Sequence, residues 1–147
     1  MSKVLVIVAN FYPDISHDLE SLVVAELKKV RMESHKIYVP GTFELPSAMN
    51  MALESVDYAG VIVLGCVIKG KTAHFDVVVH ESARALQDIA IYYSVPMGYG
   101  IISANNKKQA EKRAAEYGKG AVKACLELIK IKESYANYYD KDISLFN

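Results

Sequence analysis

Two uninterrupted apolar runs constrain this chain most: Val4-Leu5-Val6-Ile7-Val8-Ala9 and Val61-Ile62-Val63-Leu64-Gly65-Cys66-Val67-Ile68. A strand with one wet face alternates apolar and polar residues. A β-branched run without that alternation belongs to a strand covered on both faces, as in parallel sheets. Helical-period segments separate the runs, as such a sheet requires. After Pro13-Asp14, residues Leu19, Leu22, Val23, Leu27 and Val30 recur at helical spacing, with Ser16 or Asp18 as candidate N-caps. Ile37-Tyr38-Val39 predicts a shorter strand, closed by Pro40-Gly41. Leu45 to Leu53 reads as a helix with Pro46 in its first turn, where a missing N–H does no harm. A helical pattern runs from His74 to about Tyr93, and Met97 to Ile102 is the fourth strand. Two further helices, Lys107–Tyr117 and Ala121–Ile131, are expected on either side of Gly118 and Gly120, followed by a polar, tyrosine-rich tail from Lys132. With no internal repeat or linker, residues 1–147 are expected to form one domain, a parallel sheet between two helical layers.

Composition narrows the function classes. Lys+Arg and Asp+Glu are both 17, so the formal net charge is zero, which argues against a partner such as nucleic acid or an acidic membrane. The first apolar run is too short for a signal peptide, and no run approaches the roughly 18 apolar residues of a membrane span. A cytoplasmic protein is expected. Cys66 and Cys125 do not make a disulfide framework in a chain of this size and read as small core residues.

In open parallel sheets, ligands bind outside the carboxyl ends of the strands. The segments leaving those ends are Asn10-Phe11-Tyr12, Pro40–Glu44, Lys69–His74 and Ser103–Asn106. In Lys69-Gly70-Lys71-Thr72-Ala73-His74, a glycine and two lysines precede a helix N-terminus, which suits a phosphate. Thr72 is placed as an N-cap or hydroxyl donor. On pattern alone, a capped helix with solvated lysines explains the segment as well, and the P-loop spacing is absent. His74 in the first turn could exchange protons with a substrate near neutral pH. Glu44, taken alone, reads first as a first-turn carboxylate favoured by the helix dipole. Phe11 and Tyr99 could stack on a flat ring or belong to the core, and Arg113 lies on a polar helix face. His74 and His80 are not at i, i+4 spacing, and no metal site is expected. Residue chemistry alone reaches a phosphate-handling α/β domain.

Together these segments resemble the 6,7-dimethyl-8-ribityllumazine synthase family of riboflavin biosynthesis. Val39-Pro40-Gly41-Thr42-Phe43-Glu44-Leu45-Pro46 is similar to the family's VPGAFEIP, and Leu64 to Asp76 to its LGxVIRGxTxHFD. Ala9-Asn10-Phe11 stands where the family has A/G-R-F, and Gly118-Lys119-Gly120 resembles its GNKG. The resemblance implies a flavodoxin-like three-layer α/β/α sandwich with a four-stranded parallel sheet. It also implies condensation of 5-amino-6-(D-ribitylamino)uracil with 3,4-dihydroxy-2-butanone 4-phosphate, without metal or redox cofactor. Carried over by position, Phe11 stacks on the pyrimidine, and Thr42, Phe43 and Glu44 hold the ribityl chain. Cys66, Val67 and Ile68 present backbone groups to the uracil edge. Lys71 and Thr72 bind the phosphate, supported by Arg113, and His74 is the proton donor. Tyr99 closes the ring pocket from a neighbouring subunit.

Departures from the pattern are Asn10 and Lys69, each in place of an arginine; lysine keeps the charge but loses the planar fork. A homopentamer with shared sites is expected, and coupling to riboflavin synthase is open. A larger shell is not expected, because the chain begins at its first strand and the turn between its last two helices is short. The rival class is a binding module that kept the pocket without the chemistry. A receiver domain is discounted, because Asn10-Phe11-Tyr12 stands where acidic residues would be needed.

Overall fold

The computed structural model describes residues 3–70 and 73–145, with side chains described to residue 138. Strands β1 (Lys3–Ala9), β2 (Glu33–Val39), β3 (Gly60–Ile68) and β4 (Met97–Ala104) form one parallel sheet in the order β2-β1-β3-β4. Helices α1 (Pro13–Lys29), α2 (Leu45–Ser55), α3 (His74–Tyr93) and α4 (Lys107–Leu145) cover it, and a 3₁₀ turn, Thr42–Glu44, precedes α2. This is the flavodoxin-like three-layer arrangement.

The central pair, β1 and β3, is buried on both faces. Val4, Val6 and Val8 of β1 join Ile62, Leu64 and Cys66 of β3 in a core beneath α1 and α4. The alternate residues Leu5, Ile7, Val61 and Val63 point the other way, into a second core with Leu45, Met49 and Leu86 of α2 and α3. β2 is an edge strand, half exposed, and starts four residues earlier than its apolar residues indicate. Its register with β1, from Lys3 opposite Glu33 to Ala9 opposite Val39, extends the ladder through polar residues that hydropathy cannot read.

α1 begins at Pro13, whose missing N–H costs nothing at the first helical position. Neither Ser16 nor Asp18 is the N-cap. That residue is Tyr12, with no side-chain capping bond. Ser16 is buried and its Oγ donates instead to the Ala9 carbonyl at 2.8 Å.

The chain's last helices are one. α4 runs unbroken for 39 residues through Gly118 and Gly120 and on through the tyrosine-rich segment. There is no turn at 118–120, so a shortened turn there is no ground for the expected limit on assembly. Each helical glycine costs about 1 kcal/mol relative to alanine, but tertiary packing outweighs this. Ala110, Ala114, Ala121, Val122 and Cys125 form a continuous buried stripe on the sheet. At Gly118, a Cβ would come within 2.5 Å of Leu22 Cδ2, so the glycine lets α1 and α4 approach closely. Beyond it the sheet imposes the same demand on β4: a Cβ at Gly98 would lie 2.0 Å from the Ala121 carbonyl oxygen.

Two glycines therefore predict opposite outcomes. Gly98→Ala should destabilise the protein by about 3 kcal/mol, the upper end of overpacking costs, because its neighbour is helix backbone. Gly120 has nothing within 4 Å of a built Cβ, so Gly120→Ala should stabilise by about 0.5–1 kcal/mol. Urea denaturation midpoints at equal protein concentration check both.

Candidate active site

Three of the four strand ends meet in one cleft of about 320 Å³. Its walls come from Phe11 and Tyr12 after β1, from Gly41 to Glu44 after β2, and from Cys66, Val67, Ile68 and Gly70 at the end of β3. The first turns of α3 add His74, Phe75 and Val78. Backbone bonds across the sheet fix these exits. Asn10 N–H donates to the Val39 carbonyl at 2.9 Å, and Lys69 N–H to the Ala104 carbonyl at 2.8 Å. A larger hollow of 560 Å³ opens between α1 and α4, beside residues such as Lys29, Lys123 and Glu127, away from these strand ends.

Thr42 is buried at the base of the 3₁₀ turn. It fits there because position 65 is glycine: a Cβ would lie 3.0 Å from Thr42 Oγ1 and 3.2 Å from Ala9 Cβ. Phe43 and Glu44 project outward and are exposed, as is Phe11. Glu44 is both the last residue of the 3₁₀ turn and the N-cap of α2, where a carboxylate is favoured by the helix dipole. It therefore satisfies the helix-start reading while standing at the cleft.

α3 opens at His74, and its N-cap is Ala73, with no side-chain capping bond. The capping position expected for Thr72 is thus taken by its neighbour. Lys71 and Thr72 lie outside the described residues. Tyr99 and Arg113 are not cleft-lining residues of their own chain. Tyr99 sits on β4 opposite Val63, three residues before Ile102, the partner of Cys66. It is half-buried, and burial lifts its phenol above the usual range. Arg113 Nη1 donates to the Ser103 carbonyl at 2.7 Å, tying α4 to the end of β4. The fourth strand exit, Asn105-Asn106, caps α4: Asn106 Oδ1 accepts from Gln109 N–H at 2.9 Å.

Tyr12 lies in a strand-end segment that the sequence marked without giving it a role, while Phe75 and Val78 were missed as cleft residues. Phe75 and Val78 carried a signal, since positions 74, 75 and 78 share one side of a helix's opening turns. Among the described residues, no group of three or more His, Cys, Asp or Glu could hold a metal ion. No helix among them is long and apolar enough to cross a membrane.

A cleft at the carboxyl edge of a parallel sheet is where this architecture receives small molecules. The molecule is thus a flavodoxin-like α/β protein with a cleft at the carboxyl edge of its sheet. The family model for 6,7-dimethyl-8-ribityllumazine synthase matches residues 1–133. The 6,7-dimethyl-8-ribityllumazine synthase 1 of Rhodopseudomonas palustris is 40% identical over 144 residues, covering 92% of this chain and 88% of that protein. The 6,7-dimethyl-8-ribityllumazine synthase of Nitrobacter hamburgensis is 39% identical with the same coverage. That of Methylorubrum populi is 38% identical over 142 residues, covering 90% of this chain and 84% of that protein. The chain belongs to the lumazine synthase family, enzymes of riboflavin biosynthesis.

Cys66 lines the cleft, but burial pushes its thiol up to about 11, and burial pushes Cys125 up to about 12. A thiol that high is only about 0.1% ionised at pH 8 and is a poor nucleophile. Thiol titration of the native protein at pH 8 should therefore find neither cysteine reactive, and titration in guanidinium chloride should find both. Rapid modification of the native protein would contradict this assignment.

Proposed function

We propose that this chain condenses 5-amino-6-(D-ribitylamino)uracil with 3,4-dihydroxy-2-butanone 4-phosphate to give 6,7-dimethyl-8-ribityllumazine, phosphate and water. The observation that carries the reading is the meeting of His74, Glu44 and Phe11 around one cleft, in a chain of this family. Phe11 stacks on the pyrimidine. Thr42, Phe43 and Glu44 hold the ribityl chain, with Glu44 accepting from hydroxyls. The backbone of Cys66, Val67 and Ile68 meets the uracil edge. Lys71 and Thr72, with Arg113, bind the phosphate at the start of α3, where free N–H groups and the helix dipole favour an anion.

The primary amine attacks the ketone to form a carbinolamine, which loses water to an imine. Phosphate then leaves, the new carbonyl rotates toward the second nitrogen, and ring closure expels water. Each step moves a proton, the role given to the His74 imidazole. Holding both substrates in one cleft contributes most, because effective molarity lowers the barrier by several kcal/mol. No metal or cofactor is assigned a role.

The protein acts in the cytoplasm as a homopentamer. That Tyr99 and Arg113 lie outside the cleft of their own chain supports a head-to-tail ring that closes, in which a neighbouring copy supplies them. Functional coupling to riboflavin synthase, which would consume the product, fits the same reading.

Mixing the two substrates with the protein in the presence of a chelator should yield the fluorescent lumazine. Binding without turnover would favour a carrier instead. His74→Ala should lower turnover about 10- to 100-fold with substrate binding largely kept, at or below the low end for general acid–base groups because water can relay protons. Unchanged turnover would remove His74 from the mechanism. Light scattering should give about 82 kDa, five times the 16.3 kDa chain. A fully active monomer would overturn the shared site.

A further inference from the structure

Phe11 is 67% exposed. A ring on a loop with that much freedom has several side-chain rotamers open to it, yet stacking on a flat substrate needs one. Among the described residues, the aromatic ring against Phe11 is that of Tyr12, with centroids 5.0 Å apart and planes at 76°. This is the edge-to-face arrangement favoured by aromatic quadrupoles.

Tyr12 is much less free than Phe11. Its ring is half-buried against the core beneath α1 and α4. Pro13 follows it and disfavours helical backbone at position 12, which is extended at φ −114° and ψ 90°. The Tyr12 carbonyl accepts the Ser16 N–H at 2.9 Å, while Ser16 Oγ donates to the Ala9 carbonyl at 2.8 Å. One buried serine thus ties both ends of the loop Asn10-Phe11-Tyr12. Burial, and secondarily the nearby Cys66 thiol, raise the Tyr12 phenol above its usual range.

We propose that Tyr12 is a positioning residue for ring binding: anchored in the core, it holds Phe11 edge-to-face in the orientation that stacks on the flat heteroaromatic substrate. The inference rests on the role given to Phe11 above. It adds that the pyrimidine site depends on a ring that acts through Phe11 rather than on the substrate.

Two measurements test it. In protein labelled with 4-fluorophenylalanine, Phe11 is one of four phenylalanines, and its ¹⁹F resonance is assigned by Phe11→Leu. In Tyr12→Ala that resonance should move toward the random-coil position and sharpen, while in Tyr12→Phe it should stay. An unmoved resonance in Tyr12→Ala overturns the proposal whether or not the protein makes lumazine. In steady-state kinetics, Tyr12→Ala should raise KM for the ribitylaminouracil about 3- to 10-fold, the size of an edge-to-face pair. KM for the butanone phosphate and kcat should change less than about 2-fold, and Tyr12→Phe should restore the wild-type value. In a Phe11→Ala background, Tyr12→Ala should add nothing. Additive effects, or equal damage from Tyr12→Phe, would mean that Tyr12 acts on the substrate itself and would overturn the proposal. A wild-type protein that makes no lumazine defeats the catalytic reading alone, and the ¹⁹F result then decides the positioning claim.

Discussion

Everything in this molecule depends on the double-sided burial of β1 and β3. From Val4 to Val8 and from Val61 to Leu64, no side chain is more than 1% exposed. Each such aliphatic residue contributes roughly 1.5–3 kcal/mol of burial, and both faces of the pair must be covered for the gain to be realised. The demand fixes two helical layers, α1 with α4 and α2 with α3. Because the strands are parallel, it also sends all their carboxyl ends to one edge. The site is a consequence of the sheet's direction.

What the sheet supplies to that edge is rigidity. Residues Asn10 and Lys69, the first beyond β1 and β3, are each held by a backbone bond to the neighbouring strand. Thr42 is locked against Gly65, and Ser16 braces the loop after β1. Loops form the cleft walls, but each leaves a strand whose position is set by the core. Exposed groups such as Phe11 and Glu44 can then be aimed without being buried themselves.

α4 resolves a conflict between local and tertiary preferences. Locally, Gly118 and Gly120 argue for a break. The facing surfaces of α1 and β4 need a small-residue helix that comes very near, and Gly118, Ala121 and Gly98 provide the contact. The stripe from Ala110 through Cys125 keeps one helical face across the segment that the sequence divides into two helices. The glycines obscured it because their effect on packing is not a local property.

By itself, the sequence determined the parallel sheet, the three layers and the strand ends that line the cleft. Hydrophobic periodicity is a one-dimensional record of which faces are buried, and the runs at 4–9 and 61–68 left few alternatives. The ordered motifs around Glu44 and His74 likewise marked the family. Tertiary structure alone decided that α4 continues through its glycines and that β2 extends through polar residues by pairing with β1. It also decided that Ser16 is a brace rather than a cap, and that Phe75 and Val78 share the cleft with Phe11 and His74. The physical reason is common to all of these. Close approach and hydrogen-bond partnership depend on what lies across space, and no window of residues along the chain contains that neighbour.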